Sequence, residues 1–498
     1  MPGYLPPHPR AAQCRWLAPL GGVCLAALLA FEACAAPAGS PRFVAKYGSL
    51  EKHELPAWFD DAKLGIFIHW GIYAVPAWAP PSGQFGKLPE TEFFKRNPYA
   101  EWYFNSMRIE GSPTHAYHLD TYGADFDYYR FGQTFNREVE RWDPAAMAEL
   151  FRSVHARYVV LTTKHHDGFT LWPSAVKNPH HPDAHATRDI VGELTAAVTA
   201  RGLKMGFYYS GGIDWSFRPV LIDGTQEGGQ VTPEGDYAAY ADAHWRELIE
   251  RYRPALLWND IRYPEKSGLL QIVADFYNAN PEGAINNRWG RWMTHDFTTA
   301  EYQVHPGIVA KKWEATRGIG NSFGYNRTEG AEHMLSVDEL VDSFIDIVSK
   351  NGNLLLNVGP RADGSIPGLQ LERLRGLGRW LDVNGDAIFG TRPWVDFAGT
   401  LQGSDAPVRF TYRPGRDSAV AGDVVYALLL RKPAGARIVL EGVVPAGAKT
   451  EVRLLGHDRP LAFRRVGDAM EIELPPSLPD APAYALAISP QPGRILRK

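Results

Sequence analysis

Side chains that could bind and cleave a sugar follow several apolar, strand-like runs of the 498-residue chain. Aromatic rings can cover the apolar C–H faces of a sugar, while histidine, carboxyl and arginine groups hydrogen bond its hydroxyls. The residues of these types at the ends of the runs are Phe67, His69, Trp70, His165, His166, Asp167, Tyr208, Trp258, Asp260, Arg288, Trp289, Glu301, Trp313, Glu314 and Arg361. This set of side chains favours a carbohydrate site.

Two carboxyl groups are needed to hydrolyse a glycoside, one as acid/base and one as nucleophile or base. Asp260 closes an apolar strand, and Trp258 lies two residues earlier on the same strand face. Aspartate is also a common turn former after a strand, so this position alone does not establish catalysis. Glu301, Glu314 and Glu101 are the candidates for the second carboxyl group. Each of them could also be a structural ion-pair partner.

The run His165-His166-Asp167 raises the alternative of a metal site. Adjacent strand residues point to opposite faces, so two neighbouring histidines rarely share one ion. The chain lacks H-x-H and H-E-x-x-H motifs, and its cysteines lie near its start, so we predict neither a metal nor a cofactor. Glycine-rich nucleotide motifs are also absent, which argues against nucleotide binding.

Eight strand-like runs alternate with helical stretches between residues 45 and 394. The runs are Leu64–His69, Tyr158–Thr162, Lys204–Tyr209, Ala255–Trp258, Ala284–Asn286, Asp296–Glu301, Lys312–Thr316 and Leu354–Val358. Helices are predicted at Pro144–His155, Ile190–Ala200, Tyr237–Tyr252, Lys266–Asn278 and Val337–Ser349. The pattern predicts an α/β fold, a (β/α)8-like TIM barrel over residues 37–395 with its site at the carboxyl ends of the strands. Because the links after strands six and seven are short of helix, an irregular barrel stays open.

The tail, residues 396–498, has a different pattern of short alternating strands separated by Pro and Gly turns. The predicted strands are Val408–Tyr412, Val424–Leu428, Arg437–Leu440, Glu451–Leu455, Met470–Leu474 and Tyr484–Ile488. Regular short strands of this kind predict a C-terminal antiparallel β-sandwich. No tryptophan follows Trp394, which marks the expected boundary between the two domains.

The first 36 residues have the pattern of a secretory signal peptide. Arg10 and Arg15 precede an apolar run, Leu17–Phe31, and small residues follow up to Pro37. All three cysteines lie in this segment, at Cys14, Cys24 and Cys34. We therefore expect an exported protein, periplasmic or secreted, that uses neither disulfides nor thiols. A membrane anchor and a lipid anchor on Cys34 are the alternatives.

The overall composition excludes several classes of protein. Lys plus Arg number 52 against 56 Asp plus Glu, a net charge of −4, which gives no basic surface for nucleic acid. An apolar content of 45% and a charged content of 22% are ordinary for a globular protein and exclude extensive disorder. The composition carries no signal for an oligomeric state.

Taken in order, the motifs resemble the α-L-fucosidases of glycoside hydrolase family 29. The resemblance rests on Trp58–Gly71, Glu101–Tyr103, Lys164–Phe169, Tyr208–Ser210, Trp258–Asp260, Asn287–Gly290, Lys312–Glu314, Ser322–Tyr325 and Asn351–Pro360. It implies a retaining exo-glycosidase that removes terminal α-L-fucosyl residues from oligosaccharides or glycoconjugates through a covalent fucosyl-enzyme intermediate.

The resemblance also implies roles for individual residues. Asp260 corresponds to the nucleophile and Glu301 to the acid/base, with Glu314 as the alternative. The implied substrate-binding residues are His69, Glu101, Trp102, His165, His166, Tyr208, Trp258, Arg288 and Phe323. Trp258 and Phe323 would line the apolar side that a C6 methyl group needs. A glycosidase for a related sugar, such as an α-L-galactoside, and a non-catalytic fucose-binding protein remain alternative functions.

Overall fold

Eight parallel strands form the first of two eight-stranded sheets in a computed structural model that describes residues 43–82, 88–225, 231–415 and 423–495. The strands β1 to β8 are Leu64–Ile68, Tyr158–Lys164, Lys204–Ser210, Leu256–Asp260, Ala284–Ile285, Thr298–Glu301, Trp313–Gly318 and Gly352–Val358. Their order is β5-β4-β3-β2-β1-β8-β7-β6, with β5 and β6 at the two edges. The predicted TIM-barrel fold is confirmed, in an irregular form that is open between β5 and β6. The predicted signal segment, residues 1–36, lies outside the described residues.

Helices surround this sheet and connect most of its strands. The helices α1 to α12 are Tyr47–Leu50, Ala57–Ala62, Glu90–Lys95, Tyr103–Ser106, Pro113–Tyr122, Phe131–Glu138, Pro144–Ser153, Ile190–Thr199, Asp236–Tyr252, Leu269–Ala279, Val337–Ser349 and Gly368–Asn384. Helix α11 begins with a capping box: Ser336 Oγ accepts from the Glu339 amide, and the Glu339 carboxylate accepts from the Ser336 amide.

Alternating side chains divide the barrel into two apolar layers. In β1, Ile66 and Ile68 pack toward the helices, while Phe67 packs inside the barrel with Trp258 and Leu355. A strand that is buried on both faces therefore has an unbroken apolar sequence. The inner layer forms a floor beneath the carboxyl ends of the strands, where the candidate residues lie.

The helix-poor links follow β5 and β6, not β6 and β7 as the sequence indicated. The link from β7 to β8 contains α11, whereas β5 leads to β6 without a helix. Side chains replace strand pairing at this opening. Asp296 Oδ2 accepts from the Ile285 amide at 2.7 Å, and Asn287 Oδ1 accepts from the Thr299 amide at 3.0 Å.

The C-terminal part is antiparallel, as predicted. Its strands β9 to β18 are Arg392–Leu401, Ser404–Arg413, Val424–Leu429, Arg437–Glu441, Val443–Val444, Glu451–Leu454, Phe463–Val466, Ala469–Glu473, Tyr484–Ser489 and Gly493–Arg494. Eight of them form a sheet in the order β14-β17-β11-β10-β9-β12-β16-β15 around an apolar core of its own. The expected boundary after residue 395 falls inside β9. Trp394 of this strand packs in the C-terminal core against Phe410.

Candidate active site

A cavity of about 550 Å³ opens at the carboxyl ends of the barrel strands. The structure brings eleven of the predicted residues together in its lining: His69, Glu101, Trp102, His165, His166, Tyr208, Trp258, Asp260, Arg288, Glu301 and Phe323. They come from the ends of β1 to β4 and β6, from the turn Ala100–Trp102, and from the loops after β5 and β7. Glu314 is not among the lining residues.

Asp260 is held as a carboxylate at the end of β4. Its Oδ1 accepts from Arg288 Nη1 at 2.9 Å, and its Oδ2 accepts from the Tyr208 hydroxyl at 2.9 Å. Burial opposes ionisation, but the charge of Arg288 and these hydrogen bonds outweigh it and lower the pKa of Asp260 below its ordinary value. The pKa of Tyr208 is raised far above its ordinary value by burial and by Asp260, so its hydroxyl stays a donor.

Arg288 joins the two predicted catalytic carboxyl groups. Its Nη2 donates to Glu301 Oε2 at 3.1 Å, its Nε donates to Thr299 Oγ1 at 2.9 Å, and its guanidinium lies 5.0 Å from the centre of the Trp258 ring. The guanidinium is planar, so contacts to both carboxyl groups fix their relative position. Retaining glycosidases separate their two carboxyl groups by only about 5–5.5 Å, and a shared guanidinium fits such a pair.

Glu314 lies inside the barrel, beneath the cavity floor. Its Oε1 accepts from Trp258 Nε1 at 2.9 Å and its Oε2 accepts from the Tyr158 hydroxyl at 2.6 Å. Burial raises the pKa of Glu314 to about 7, although both hydrogen bonds favour the carboxylate. With both oxygens occupied and no place in the cavity lining, Glu314 supports Trp258 and does not face a substrate.

Three buried histidines line one side of the cavity in their neutral form. Burial lowers the pKa of His69 to about 4 and that of His166 to about 3, and it lowers the pKa of His165 as well. His69 Nδ1 lies 2.7 Å from Asn357 Oδ1, which can only accept, so this nitrogen carries the proton. Nε2 of His69 is therefore an acceptor for a sugar hydroxyl.

The hydrogen bonds of Ser210 likewise place the proton of His166 on Nδ1. Ser210 Oγ donates to the Ile213 carbonyl at 2.6 Å and therefore accepts from His166 Nδ1 at 2.6 Å. His165 and His166 both line the cavity, with ring centres 4.1 Å apart, because β2 ends at Lys164 and its alternation ends there. Neighbouring residues within a strand face opposite sides, but His165 and His166 follow the strand, so this rule does not apply to them.

Glu101 is another carboxyl group whose pKa is strongly raised. Burial raises its pKa to about 8, against the effect of a 2.7 Å hydrogen bond from the Gly324 amide to Oε2. Near neutral pH it is a carboxylic acid and can donate to a sugar oxygen. Its neighbour Trp102 meets the His166 ring edge-on at 5.1 Å.

An apolar wall completes the cavity. Phe323 packs 4.9 Å from the His69 ring centre and 5.6 Å from that of Tyr99. Elsewhere in the lining, Trp258 stacks on Tyr208 at 5.5 Å. These rings can cover an apolar substituent, while the acceptors and donors of the other lining residues can bind hydroxyls.

Several lining residues are not predicted from the sequence, among them Tyr99 and Thr299. The Tyr99 hydroxyl lies 3.4 Å from Glu301 Oε1, so it contacts the predicted acid/base directly. Tyr99 is two residues from Glu101 in a segment of short helical turns, where no periodic pattern marks it.

A TIM-like barrel whose strand ends carry two carboxyl groups joined by one arginine, beside an aromatic wall, has the features of a glycoside hydrolase. Comparison with known proteins specifies the family. The Alpha-L-fucosidase family model matches residues 30–386. The chain is 34% identical to human plasma α-L-fucosidase over 452 residues, which cover 87% of this chain and 89% of that protein.

Solved structures agree with this comparison. The Thermotoga maritima α-fucosidase in complex with fucose has 44% sequence identity and a TM-score of 0.80, over 90% of this chain and 100% of that one. A second structure, described as an α-L-fucosidase, has 45% identity and a TM-score of 0.83 over the same shares. The chain belongs to the α-L-fucosidase family, glycoside hydrolase family 29, as its motifs indicated.

Proposed function

We propose that this α-L-fucosidase removes terminal α-L-fucosyl residues by double displacement, with Asp260 as nucleophile and Glu301 as acid/base. The observation that carries the assignment is the guanidinium of Arg288, which binds both carboxyl groups at 2.9 and 3.1 Å at the mouth of one cavity. Asp260 is kept ionised for attack, and Glu301 has 26% of its side chain exposed, where a leaving group can reach it.

The proposed hydrolysis has two steps, formation and hydrolysis of a fucosyl ester. Asp260 attacks the anomeric carbon while the bond to the leaving oxygen breaks, and Glu301 donates its proton to that oxygen. The resulting fucosyl ester is then attacked by water. Glu301 takes the proton of the water, the ester bond breaks, and Asp260 becomes a carboxylate again.

The substrate-binding residues have donors and acceptors that match sugar hydroxyls. Nε2 of His69 and of His166 accept, and the protonated Glu101 donates. The wall around Phe323 favours a methyl group over a hydroxymethyl group at C6, because burying an unpaired hydroxyl costs free energy. This wall favours an α-L-fucoside over an α-L-galactoside.

Hydrolysis of aryl α-L-fucoside and aryl α-L-galactoside, measured side by side, tests the proposal. We expect the fucoside to be hydrolysed with retention and with the higher kcat/KM. Asp260→Ala removes the nucleophile and should reduce kcat by at least about 10³-fold, with an unchanged circular dichroism spectrum as control. Binding of fucose without hydrolysis by the wild type would instead support a non-catalytic lectin, and an Asp260→Ala variant that keeps its activity would contradict the nucleophile assignment.

We also propose that residues 1–36 direct export, with the protein acting in the periplasm or outside the cell. The charged start, apolar run and small residues up to Pro37 support this. Among the residues that the structure describes, no helix is long and apolar enough to span a bilayer. The mass of the protein recovered from the periplasm tests cleavage near Ala36.

A further inference from the structure

A second cavity, of about 440 Å³, adjoins the sugar cavity at the Asp260–Arg288 ion pair. The two cavities share Asp260, Ile261 and Arg288, and the second then extends along the segment 287–295, which links β5 to β6. A glycan whose terminal sugar lies against Asp260 continues beyond the scissile bond. The second cavity offers room next to that bond for the sugars that remain on the leaving group.

Positive charge without a partner lines this cavity. Arg262 and Arg291 are both exposed there, and within the described part of the chain neither guanidinium has a hydrogen-bond acceptor or an ion-pair partner. Lys311 adds a third cation nearby, since its ammonium donates to the His295 carbonyl at 3.0 Å. Asp260 is the carboxylate among the described lining residues, and Arg288 already neutralises it.

The backbone holds Arg262 in a fixed place two residues after Asp260. Ile261 and Arg262 have φ values of 54° and 71°, a left-handed conformation that residues with a Cβ rarely adopt. Two hydrogen bonds maintain the turn: the Arg262 amide donates to the Arg288 carbonyl at 2.9 Å, and Asn259 Nδ2 donates to the Arg262 carbonyl at 2.7 Å. Gly212 makes room for it, because a Cβ there would lie 1.4 Å from the Ile261 carbonyl oxygen.

An exposed tryptophan stands beside the two arginines. Trp292 is 42% exposed, and its indole lies close to Gly290 in the cavity wall, where a Cβ would be 3.0 Å from Nε1. Large aromatic side chains are mostly buried, so a single exposed indole next to a cavity is a surface that a sugar ring can stack on.

We propose that Arg262, Arg291 and Trp292 form a subsite for a negatively charged sugar in the leaving group, one that carries a sulfate or a carboxylate. Guanidinium groups bind both anions through paired hydrogen bonds, and the indole would support the ring that carries the charge. This subsite rests on the proposed fucosidase function, and it makes acidic fucosylated glycans the preferred substrates.

The test uses matched fucosyl oligosaccharides that differ by one charge on the sugar next to fucose. One pair differs by a sulfate ester and the second by a carboxylate. For each protein, the measured quantity is the ratio of kcat/KM for the acidic substrate to kcat/KM for its neutral counterpart. We expect the wild-type ratio to exceed one, and Arg262→Gln and Arg291→Gln each to lower it about two- to five-fold, as for exposed charge pairs.

Two controls separate the possible outcomes. Arg459→Gln removes an exposed arginine from the C-terminal sheet region and should leave the ratio unchanged. Salt of about 0.5 M should lower the wild-type ratio toward one, because exposed charges are screened.

The subsite is supported if the wild-type ratio exceeds one for the sulfated or the carboxylated substrate and the arginine variants lower it. The substrate pair that shows this effect identifies the anion. A wild-type ratio of one in both pairs, or a ratio that the variants leave intact, would overturn it. Absence of hydrolysis of every neutral substrate and of aryl α-L-fucoside would instead refute the proposed function.

Discussion

Glu314→Gln is expected to make the barrel more stable at neutral and alkaline pH. The buried carboxyl accepts hydrogen bonds from Trp258 Nε1 and from the Tyr158 hydroxyl. A glutamine keeps both contacts, because its oxygen can accept from the indole while its amide nitrogen donates to the tyrosine oxygen. The variant therefore reproduces the protonated form of Glu314 at every pH.

The size of the effect follows from the pKa of Glu314. Burial raises it from 4.5 to about 7 in the folded chain, so between these values the folded state binds more protons than the unfolded state. The free energy of unfolding consequently falls as pH rises through this window and levels off above the folded pKa. At about 1.4 kcal/mol for each pH unit, the loss amounts to about 3 kcal/mol.

Urea unfolding of the wild type and of Glu314→Gln at pH 4.5, 6, 7 and 8 measures this difference. Tryptophan fluorescence is a suitable signal, since 13 of the 15 tryptophans lie from Trp58 to Trp380. We expect the free energy of unfolding of the variant, relative to that of the wild type, to rise by about 3 kcal/mol from pH 4.5 to pH 8. Glu110→Gln, which changes an exposed carboxyl, should stay within about 0.5 kcal/mol of the wild type throughout. A difference between Glu314→Gln and the wild type that stays constant with pH would refute the argument.

Two further predictions concern the carboxyl groups in the cavity. Glu301→Ala should lower kcat/KM about 10²- to 10⁴-fold on fucosyl oligosaccharides, and azide should restore turnover of an aryl fucoside with a good leaving group; rescue of Glu314→Ala but not of Glu301→Ala would reverse the two roles. Arg288→Met should raise the pKa of Asp260 and move the acid limb of the kcat/KM profile up by about 1 to 3 pH units, and Arg288→Lys should move it less. An acid limb that does not move in Arg288→Met would show that Arg288 does not set the ionisation of Asp260.

The regular part of the barrel could be predicted because its strands and helices carry strong periodic patterns. β1 is an unbroken apolar run, β8 has the apolar run Leu354–Leu356 at its centre, and α11 begins at a complete capping box. α3 and α4 have six and four residues, which are too few for a period of 3.6 residues to appear. No strand is predicted at β9, because the distribution of tryptophans assigns Trp394 to the barrel domain, whereas its side chain packs in the C-terminal core.

The membership of the site could be predicted from the ends of the strands and from the motifs, but its contacts could not. The motifs offer both Glu301 and Glu314 as the acid/base, because spacing in the sequence does not measure how far either carboxyl group lies from Asp260. The difference is one of position along the strand: Glu301 ends β6, whereas Glu314 is the second residue of β7. A residue near the start of a strand lies deep in the barrel, away from the carboxyl ends where substrates bind.

The charge balance of the site explains why one arginine is accompanied by three neutral histidines. Before attack, the proposed mechanism needs an ionised Asp260 and a protonated Glu301, and Arg288 neutralises Asp260. In the same proposed mechanism Glu301 is the carboxylate once Asp260 has become an ester, and the guanidinium of Arg288 already contacts it at 3.1 Å. One cation therefore compensates one anion in both steps. A protonated His69 or His166 would add a charge that no group in this arrangement balances, and burial prevents it by lowering the pKa of each histidine.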